Sequence, residues 1–521
     1  MKRNRLVVFC AFFWATGFVA AAQPFTSRQI DSVVALSMKT FDVPGIAVAV
    51  VKDGQVIHEK GYGVRSLHTG QKVDEHTSFG IASNTKAFTT AALGILVEEG
   101  KINWDDRVTR YIPEFKLYAP YVTGNFTIRD LLTHRSGLGL GAGDLMVWPD
   151  SSTFTVKDVI HNLRFLPQVS GFRTKYDYDN LLYIVAGEVV ARVSGMSWED
   201  FVQAHILDPL QMTESAPNFL RLKNRTNVID PHAIVNGSVQ VIHRDWKYMA
   251  DAAGGIYSSV HDMGKWVLMQ MSQGKYGPAG QQQLFRESIH QEMWRPQTIM
   301  PVNNGGAYDT HFAAYGLGWN LRDESGYKVI SHPGALAGVV TQVTIIPELN
   351  LGIIVFTNQQ TDEAYLAITN AIKDSYYGRK GNDWVHQYHT ALVSEENAEK
   401  KISDSLWTAI EAAQKNNTSR VNNRLFIGTY ADPWLGKVVI AARDGKMWLE
   451  VKNSPRLNGE MFHYKENTYI VKWSDRSMDA DAYVIFHRGA QGKPDAMKMK
   501  AISPLTDFSF DFQDLDFKRV R

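Results

Sequence analysis

The chain has almost no cysteine, and this scarcity excludes several kinds of chemistry. Its single cysteine among 521 residues, Cys10, lies in an N-terminal segment that we predict to be removed. Phe9 precedes it where a lipoprotein signal has a small residue, which argues against lipid attachment. The mature chain is therefore expected to have no disulfide, no thiolate nucleophile and no cysteine-bound metal. It must rely on a hydrophobic core, and its length fits about two to four domains.

Excess charge of one sign and long apolar runs are also missing. The formal net charge is +1, with 21% charged and 44% hydrophobic residues. This composition is that of a globular protein and gives no sign of a nucleic-acid partner. Beyond residue 22 no apolar run approaches the length of a membrane span, so we expect no transmembrane segment in the mature chain.

The first 22 residues have the pattern of a signal peptide. A basic start, an apolar stretch and a small-residue cleavage site follow in order: Lys2, Arg3 and Arg5, then residues 6–19, then Ala20, Ala21 and Ala22. Gln23 would begin the mature chain. The alternative is a membrane anchor, which the shortness of the apolar stretch disfavours. We expect an exported protein, periplasmic in a double-membrane bacterium and secreted otherwise.

Motifs for metals and cofactors are absent as well. The histidines are scattered, H-E-x-x-H does not occur, and no carboxylate cluster has ligand spacing. Glycine-rich phosphate loops and dinucleotide fingerprints are missing, so the sequence predicts neither a metal nor a cofactor. The G-x-S-x-G elbow of the α/β-hydrolases is missing too, which argues against that class.

The pattern of apolar residues predicts an α+β domain over residues 23–380. An antiparallel sheet is expected on one side of a helical region, residues 83–271. An early hairpin and two late strands would meet in that sheet, so that the two ends of the domain come together. These segments are a helix at 27–40 and strands at 44–51, 56–59, 342–346 and 351–356.

After residue 380 the composition changes. Residues 381–420 indicate a linker helix, whose charged and alanine-containing part is 394–415, followed by a breaker cluster. Residues 421–521 alternate short strands with glycine turns. This pattern predicts a small antiparallel sandwich or barrel.

Ser83 and Lys86 form the strongest candidate for a nucleophile with its own base. They begin a broadly apolar helix, residues 87–97, and share one of its faces because they are three residues apart. A serine hydroxyl needs a group that takes its proton, and lysine does this only when its amine is neutral. The S-x-x-K pattern arises by chance about once or twice in such a chain. Two further pairs lack an apolar helix after them: Ser272/Lys275 and Ser325/Lys328.

A second motif, Tyr178-Asp179-Asn180, precedes another apolar helix. Tyr178 is placed to relay a proton between the serine, the lysine and a leaving group. Asn180 is placed to hold a substrate amide or the lysine. The alternative is a core tyrosine followed by a helix-capping asparagine.

A third motif, His332-Pro333-Gly334, leads into the late strands. Gly334 would let the backbone of a substrate approach closely, and Pro333 suits an edge strand beside a cleft. The amides of Ser83 and Ala335 are candidates for an oxyanion hole. The alternative is an ordinary β-turn before a strand.

Taken in this order, the three motifs resemble the class C-like branch of the serine β-lactamase and penicillin-recognising superfamily, peptidase family S12. The likeness runs from about Ile30 to Gln360. It includes further blocks at residues 79–86, 131–138, 253–259 and 315–319.

The resemblance implies the α/β sandwich of that superfamily and a role for each motif residue. By this likeness Ser83 is the acylated nucleophile, and Lys86 and Tyr178 share the acid and base work. The remaining residues line the site as substrate-binding or oxyanion groups: Asn180, His332, Gly334 and Ala335. The substrate would be a small molecule or a peptide.

The C-terminal part resembles a lipocalin-like β domain that is often appended to such hydrolases. The likeness rests on residues 426–434 and 454–457. Its tryptophans, Trp434, Trp448 and Trp473, motivate the hypothesis that this domain covers the cleft or forms homo-oligomers.

His332 departs from the family pattern. The β-lactamases and carboxypeptidases of the superfamily have a lysine there, which pairs with the substrate carboxylate. A histidine of ordinary pKa is mostly neutral at pH 7, so this anchor is weakened. We expect an esterase or a peptidase or amidase specific for D-amino acids. The alternatives are a class C-type β-lactamase or D-Ala-D-Ala carboxypeptidase, and a binding or sensor protein that acylates slowly or not at all.

Overall fold

The computed structural model describes residues 23–244, 248–415, 422–489 and 492–520. The predicted signal peptide, residues 1–22, lies outside the described residues. The α-helices of the described ranges are α1 Ser27–Thr40, α2 Thr85–Glu98, α3 Pro120–Asn125, α4 Ile128–Leu131, α5 Val156–Asn162, α6 Leu181–Ser194, α7 Trp198–Val202, α8 Val260–Met271, α9 Glu287–Met293, α10 Asp362–Tyr377 and α11 Trp384–Lys415.

The N-terminal part is built on an eight-stranded antiparallel sheet. Its strands are β1 Gly45–Lys52, β2 Gln55–Gly63, β3 Thr298–Met300, β4 Ala313–Tyr315, β5 Asn320–Glu324, β6 Tyr327–Leu336, β7 Val339–Ile346 and β8 Leu351–Thr357. Their order across the sheet is β2-β1-β8-β7-β6-β5-β4-β3. The early hairpin therefore pairs with the late strands, with Ala47 opposite Phe356, and the predicted meeting of the two ends is confirmed.

Strand β1 is buried on both faces of the sheet. Ile46 and Val48 pack with the outer helices α1, α10 and the start of α11, whereas Ala47 and Ala49 pack with the helical region. Helices therefore cover both faces of the sheet, as in the α/β sandwich that the family resemblance implies. Burial on both faces explains why this strand is a continuous apolar run without alternation.

Helix α2 runs through the middle of the helical region. Its residues from Thr85 to Leu96 are buried, and the Phe88 ring stacks on Trp266 of α8 with 3.9 Å between centroids. Polar side chains in the first turn of α2 therefore lie in a low-dielectric interior.

The long helix α11 connects the two parts of the chain. It begins at Trp384, within the range 381–420 predicted for a linker helix, and its first turns pack on the outer layer of the sheet. Near its other end Leu406 and Ile410 pack on Ile470 of the C-terminal part.

The C-terminal part is a closed antiparallel barrel, one of the two all-β forms that the sequence left open. Its strands are β9 Gly428–Asp432, β10 Gly436–Arg443, β11 Lys446–Val451, β12 Asn458–Lys465, β13 Thr468–Trp473, β14 Ala482–Arg488, β15 Pro494–Ala501 and β16 Phe517–Arg519. Trp434 and Trp473 are buried in its core and are not available to cover the cleft.

The barrel packs against the helical region of the N-terminal part. Asn162 Nδ2 donates to the Trp434 carbonyl at 2.9 Å, and the Thr153 amide donates to the Asn453 carbonyl at 2.8 Å. A largely buried ion pair joins Arg456 to Asp150, with 2.7 Å between Nη1 and Oδ1. The barrel is thus fixed to the same side of the molecule that carries α5 and α6.

Within the described ranges, no single helix has both the length and the apolar composition of a membrane span. Two helices reach that length and composition only when taken together, with a bend of 76° between them: Leu181–Ser194 and Trp198–Leu207.

Candidate active site

Ser83 lies in a short 3-10 turn, Ala82–Asn84, that leads directly into α2. The preceding Ala82 has φ of +50°, a left-handed conformation that is strained for a residue with a Cβ. The turn is held to the sheet by side chains, since Asn84 Nδ2 donates to Thr341 Oγ1 at 2.9 Å and Thr341 Oγ1 donates to the Ile81 carbonyl at 3.0 Å. These contacts fix the direction in which the partly exposed Ser83 hydroxyl points.

Lys86 is fully buried, and its amine is surrounded by acceptors. Nζ lies 3.0 Å from Ser83 Oγ, 2.7 Å from Asn180 Oδ1 and 2.9 Å from the Ala253 carbonyl. A neutral amine has two N–H donors and one lone pair. It can therefore donate to Asn180 and Ala253 while it accepts the proton of the Ser83 hydroxyl.

The charge state of Lys86 follows from its surroundings. Burial lowers the pKa of Lys86 to about 7, although the neighbouring Asp144 and Asp179 work in the opposite direction. A large fraction of the amine is therefore neutral near pH 7. A neutral amine is what a lysine needs in order to act as a base.

Tyr178 lies on the other side of the Ser83 hydroxyl. Its phenol donates a hydrogen bond to Ser83 Oγ at 2.8 Å. Burial raises the pKa of Tyr178 well above its usual value, so the phenol keeps its proton at neutral pH. The arrangement can thus offer a proton acceptor and a proton donor on opposite sides of one oxygen.

Asn180 stands at the start of α6 and connects Lys86 to a buried carboxyl. Its Oδ1 accepts from Lys86, and its Nδ2 donates to Asp144 Oδ2 at 2.8 Å. No side-chain capping bond is made by Asn180 to α6, so the simple capping alternative does not describe it.

His332 is buried and uses both ring nitrogens within the protein. Nδ1–H donates to the Pro333 carbonyl at 2.6 Å, so Nε2 accepts from the Tyr315 hydroxyl at 2.9 Å. Burial lowers the pKa of His332 to about 3, with a further contribution from Lys86. The ring is therefore neutral across the physiological range and provides no cation at this position.

The third motif forms a sheet edge beside Ser83. Strand β6 pairs with β5 only up to Ser331, and from His332 onward it pairs with β7 alone. A Cβ at Gly334 would overlap the Ile81 carbonyl and Thr341 Oγ1, so only glycine permits this close approach of strand and turn. Ala335 follows on the same strand, and the oxyanion role of the Ser83 and Ala335 amides stays a prediction.

Several side chains around this cluster were not assigned a role from the sequence. His134 packs between Tyr178 and Tyr315, with ring centroids at 4.3 and 4.5 Å, and its Nδ1 accepts from the Asp179 amide. His134, Ala253 and Tyr315 all lie in the sequence blocks that carry the family likeness. Asp144 lies outside these blocks, and no sequence pattern identifies it.

The structure brings Ser83, Lys86, Tyr178 and Asn180 into direct contact and places Gly334 against the nucleophile turn. His332 lies farther away, with 6.3 Å between its ring and that of Tyr178. Ser272 and Lys275, one of the chance S-x-x-K pairs, are exposed. In the part of the chain that the structure describes, no group of three or more histidines, cysteines and carboxylates is arranged to hold a metal ion.

The described fold is thus a helix-flanked antiparallel sheet in which Ser83, Lys86 and Tyr178 meet at the N-terminal end of one buried helix. Residues 30–376 match the sequence profile of the Beta-lactamase family. The chain therefore belongs to this family of β-lactamase-like serine hydrolases. Residues 413–519 match a second profile, a domain of unknown function designated DUF3471.

Curated relatives include two hydrolases and a staphylococcal protein. The unguisins hydrolase ungD of Aspergillus violaceofuscus is 30% identical over 70% of this chain and 67% of its own length. The unguisins hydrolase ungD' of Aspergillus campestris is 27% identical over 65% of this chain and 62% of its own length. Protein flp of Staphylococcus aureus is 25% identical over 65% of this chain and 64% of its own length. The chain thus spans about two thirds of each relative.

A solved structure with the same fold is the octameric penicillin-binding protein homologue from Pyrococcus abyssi. It is 21% identical, has a TM-score of 0.60, and covers 95% of this chain and 100% of its own. This likeness supports the predicted superfamily fold across both parts of the chain.

The state of His332 can be measured without any substrate. We expect its ring to stay neutral between pH 5 and 8, with the proton on Nδ1, because burial lowers its pKa to about 3. Nitrogen-15 NMR of histidine-labelled protein, assigned with His332→Gln, reports both the charge and the tautomer. A ring that becomes an imidazolium above pH 5 would contradict this description of the site.

Proposed function

We propose that this protein is a serine hydrolase that forms an acyl-enzyme on Ser83. The observation that carries the proposal is the position of Ser83 Oγ, 3.0 Å from the buried Lys86 amine and 2.8 Å from the Tyr178 hydroxyl. A hydroxyl between a neutral base and a protonated acid is arranged for nucleophilic catalysis.

Acylation follows from this arrangement. Lys86 Nζ takes the proton of the Ser83 hydroxyl while Oγ attacks the carbonyl carbon of the substrate. The resulting oxyanion lies at the amides proposed for it, those of Ser83 and Ala335. Tyr178 then donates its proton to the leaving oxygen or nitrogen as the bond to the carbonyl carbon breaks. The tyrosinate regains a proton from the Lys86 ammonium.

Deacylation reverses the proton transfers with water in place of the leaving group. A water molecule gives a proton to the neutral base and attacks the acyl carbon. The bond from that carbon to Ser83 Oγ breaks as the Lys86 ammonium returns its proton to Oγ. The products are the free acid and the original enzyme, so the cycle needs no cofactor.

Esters, and amides next to D-residues, are the substrates we propose. The neutral and buried His332 supports this choice because it offers no charge to a substrate carboxylate. The names of two relatives, both hydrolases of unguisins, support hydrolysis in general. A class C-type β-lactamase or D-Ala-D-Ala carboxypeptidase is the second candidate, favoured by the family membership itself.

We also propose that the protein is exported, on the basis of the basic, apolar and small-residue pattern of residues 1–22. A mature N-terminus at Gln23, found by mass spectrometry of protein made in its host, would support export, and an intact Met1 start would count against it. Self-association through the barrel remains a proposal, and its only support is the octameric description of the Pyrococcus abyssi protein.

Ser83→Ala should lower the turnover of a p-nitrophenyl ester of a short acyl group by at least about 10⁴-fold, because it removes the attacking oxygen. Ser272→Ala is the matched control, since it changes the serine of another S-x-x-K pair in an exposed position. The control should keep the parent rate. Equal rates for parent and Ser83→Ala would contradict the proposal.

Two further substrates in the same assay separate the candidates. We expect slow or no hydrolysis of nitrocefin by the parent, and hydrolysis of the ester or of a D-residue amide. Nitrocefin turnover as fast as that of a dedicated β-lactamase would favour the second candidate. One rapid acylation without steady turnover on any substrate would favour a sensor.

The pH dependence follows from the state of Lys86. Its pKa is lowered to about 7, so the amine gains its catalytic neutral form as the pH rises through 7. We expect kcat/KM to fall about tenfold per pH unit below pH 7 and to level off above pH 8. Tyr178, whose pKa burial raises, should cause no loss of activity below pH 9. A profile without an acid limb between pH 6 and 8 would exclude Lys86 as the base.

A further inference from the structure

The C-terminal barrel reaches the candidate active site through one connection. This connection, residues 502–516 between β15 and β16, is called the barrel loop below. The Phe508 ring lies edge-on to the Tyr178 ring, with 5.8 Å between centroids. The Phe508 carbonyl approaches Gly141 so closely that a Cβ there would lie 2.6 Å from the carbonyl oxygen. The loop therefore borders the residue that we propose as the acid.

Asp511 of the barrel loop penetrates farther and is fully buried. Its Oδ2 accepts from the Gly143 amide at 2.6 Å, and its Oδ1 accepts from the Leu145 amide at 3.1 Å. These two amides stand on either side of Asp144. One carboxyl group from the barrel thus fixes the backbone that carries Asp144.

Asp144 in turn orients the amide of Asn180. Its Oδ2 accepts from Asn180 Nδ2, so the other end of that amide, Oδ1, faces Lys86 Nζ at 2.7 Å. A side-chain amide has one donor end and one acceptor end, and the carboxyl therefore determines which end the lysine meets. The contacts form one continuous path from the barrel to the amine.

We infer that Asp511 is a positioning residue of the acyl-transfer site, which holds Asp144 and through Asn180 orients the Lys86 amine. The inference rests on the proposed function in one respect, namely that Lys86 is the base. It makes the barrel a structural part of the active site, although the barrel supplies no atom to the reaction itself.

The charged groups on this path make the pKa of Lys86 sensitive to Asp511, which would not be expected of a purely structural contact. Burial raises the pKa of Asp144 and that of Asp511, and the charge of Asp144 raises the pKa of Asp511 further. Two adjacent buried carboxyls do not both ionise readily, so the ionisation of either one disfavours that of the other. The substitution Asp511→Asn removes the competing carboxyl, so Asp144 ionises more readily and stabilises the Lys86 ammonium. The pKa of Lys86 should then rise.

Several other titratable groups face this path. Those that influence the Lys86 amine are the two carboxyls Asp144 and Asp179, together with the rings of Tyr178, Tyr183, His134 and His332. Those that influence Asp511 are Asp144 and Asp514. Only the pair of Asp144 and Asp511 is altered directly by the substitutions that follow.

The test compares Asp511→Ala, which removes both acceptors, with the isosteric Asp511→Asn. Asp444→Asn is the matched control, because it makes the same change in an exposed turn of the barrel. We expect Asp511→Ala to lower kcat about 10- to 100-fold with little change in KM, since a displaced base slows chemistry more than binding. Asp511→Asn should lose less and should shift the acid limb of kcat/KM to higher pH. The control should match the parent.

A second readout does not depend on turnover. NMR of lysine-labelled protein, assigned with Lys86→Met, measures the pKa of Lys86 directly, and we expect a rise in Asp511→Asn. If the Asp511→Ala variant fails to fold, the Asp511→Asn variant alone tests the positioning role. A folded Asp511→Asn variant with the parent's Lys86 pKa and the parent's acid limb would overturn the inference. Absence of Ser83-dependent turnover in the parent would refute the proposed function instead, and the Lys86 titration would still decide the positioning claim.

Discussion

The site depends on the burial of one amine, that of Lys86. Lys86 belongs to the first turn of a helix that is covered on every side, and the shift of its pKa from 10.5 to about 7 corresponds to roughly 5 kcal/mol. The pKa of Lys86 is lower in the folded state than in the unfolded state. The free energy of unfolding therefore decreases as the pH falls from 10.5 toward 7, and the full cost is present below pH 7. The large core around α2 must offset this cost at neutral pH.

The same enclosure shapes the rest of the site. Burial keeps Tyr178, the proposed acid, protonated and keeps His332 neutral, so position 332 offers no cation to a substrate carboxylate. The sheet contributes the edge of β6, where glycine allows contact with the nucleophile turn. The charge states of the site, its geometry and the proposed preference for esters and D-residue amides thus have a common physical origin.

Much of this arrangement could be predicted from local sequence patterns. Spacing placed Ser83 and Lys86 on one helix face, and apolar runs identified β1, β7 and β8 as partners. Helices were expected at 27–40 and within 381–420, but local patterns could not predict that these helices pack on the outer face of the sheet, because that packing depends on distant segments. Asp144 and Asp511 give no local signal at all, since their relation is made only when the barrel packs against the helical region.

The central claim is that Ser83 carries the acyl group during turnover. It is tested most directly by acid-quenching the reaction with a slowly hydrolysed ester and mapping the covalent adduct by peptide mass spectrometry. We expect one acyl group on the peptide that contains Ser83, and we expect it to form more slowly as the pH falls below 7. Turnover with no adduct on that peptide, or with the acyl group on another side chain, would contradict it.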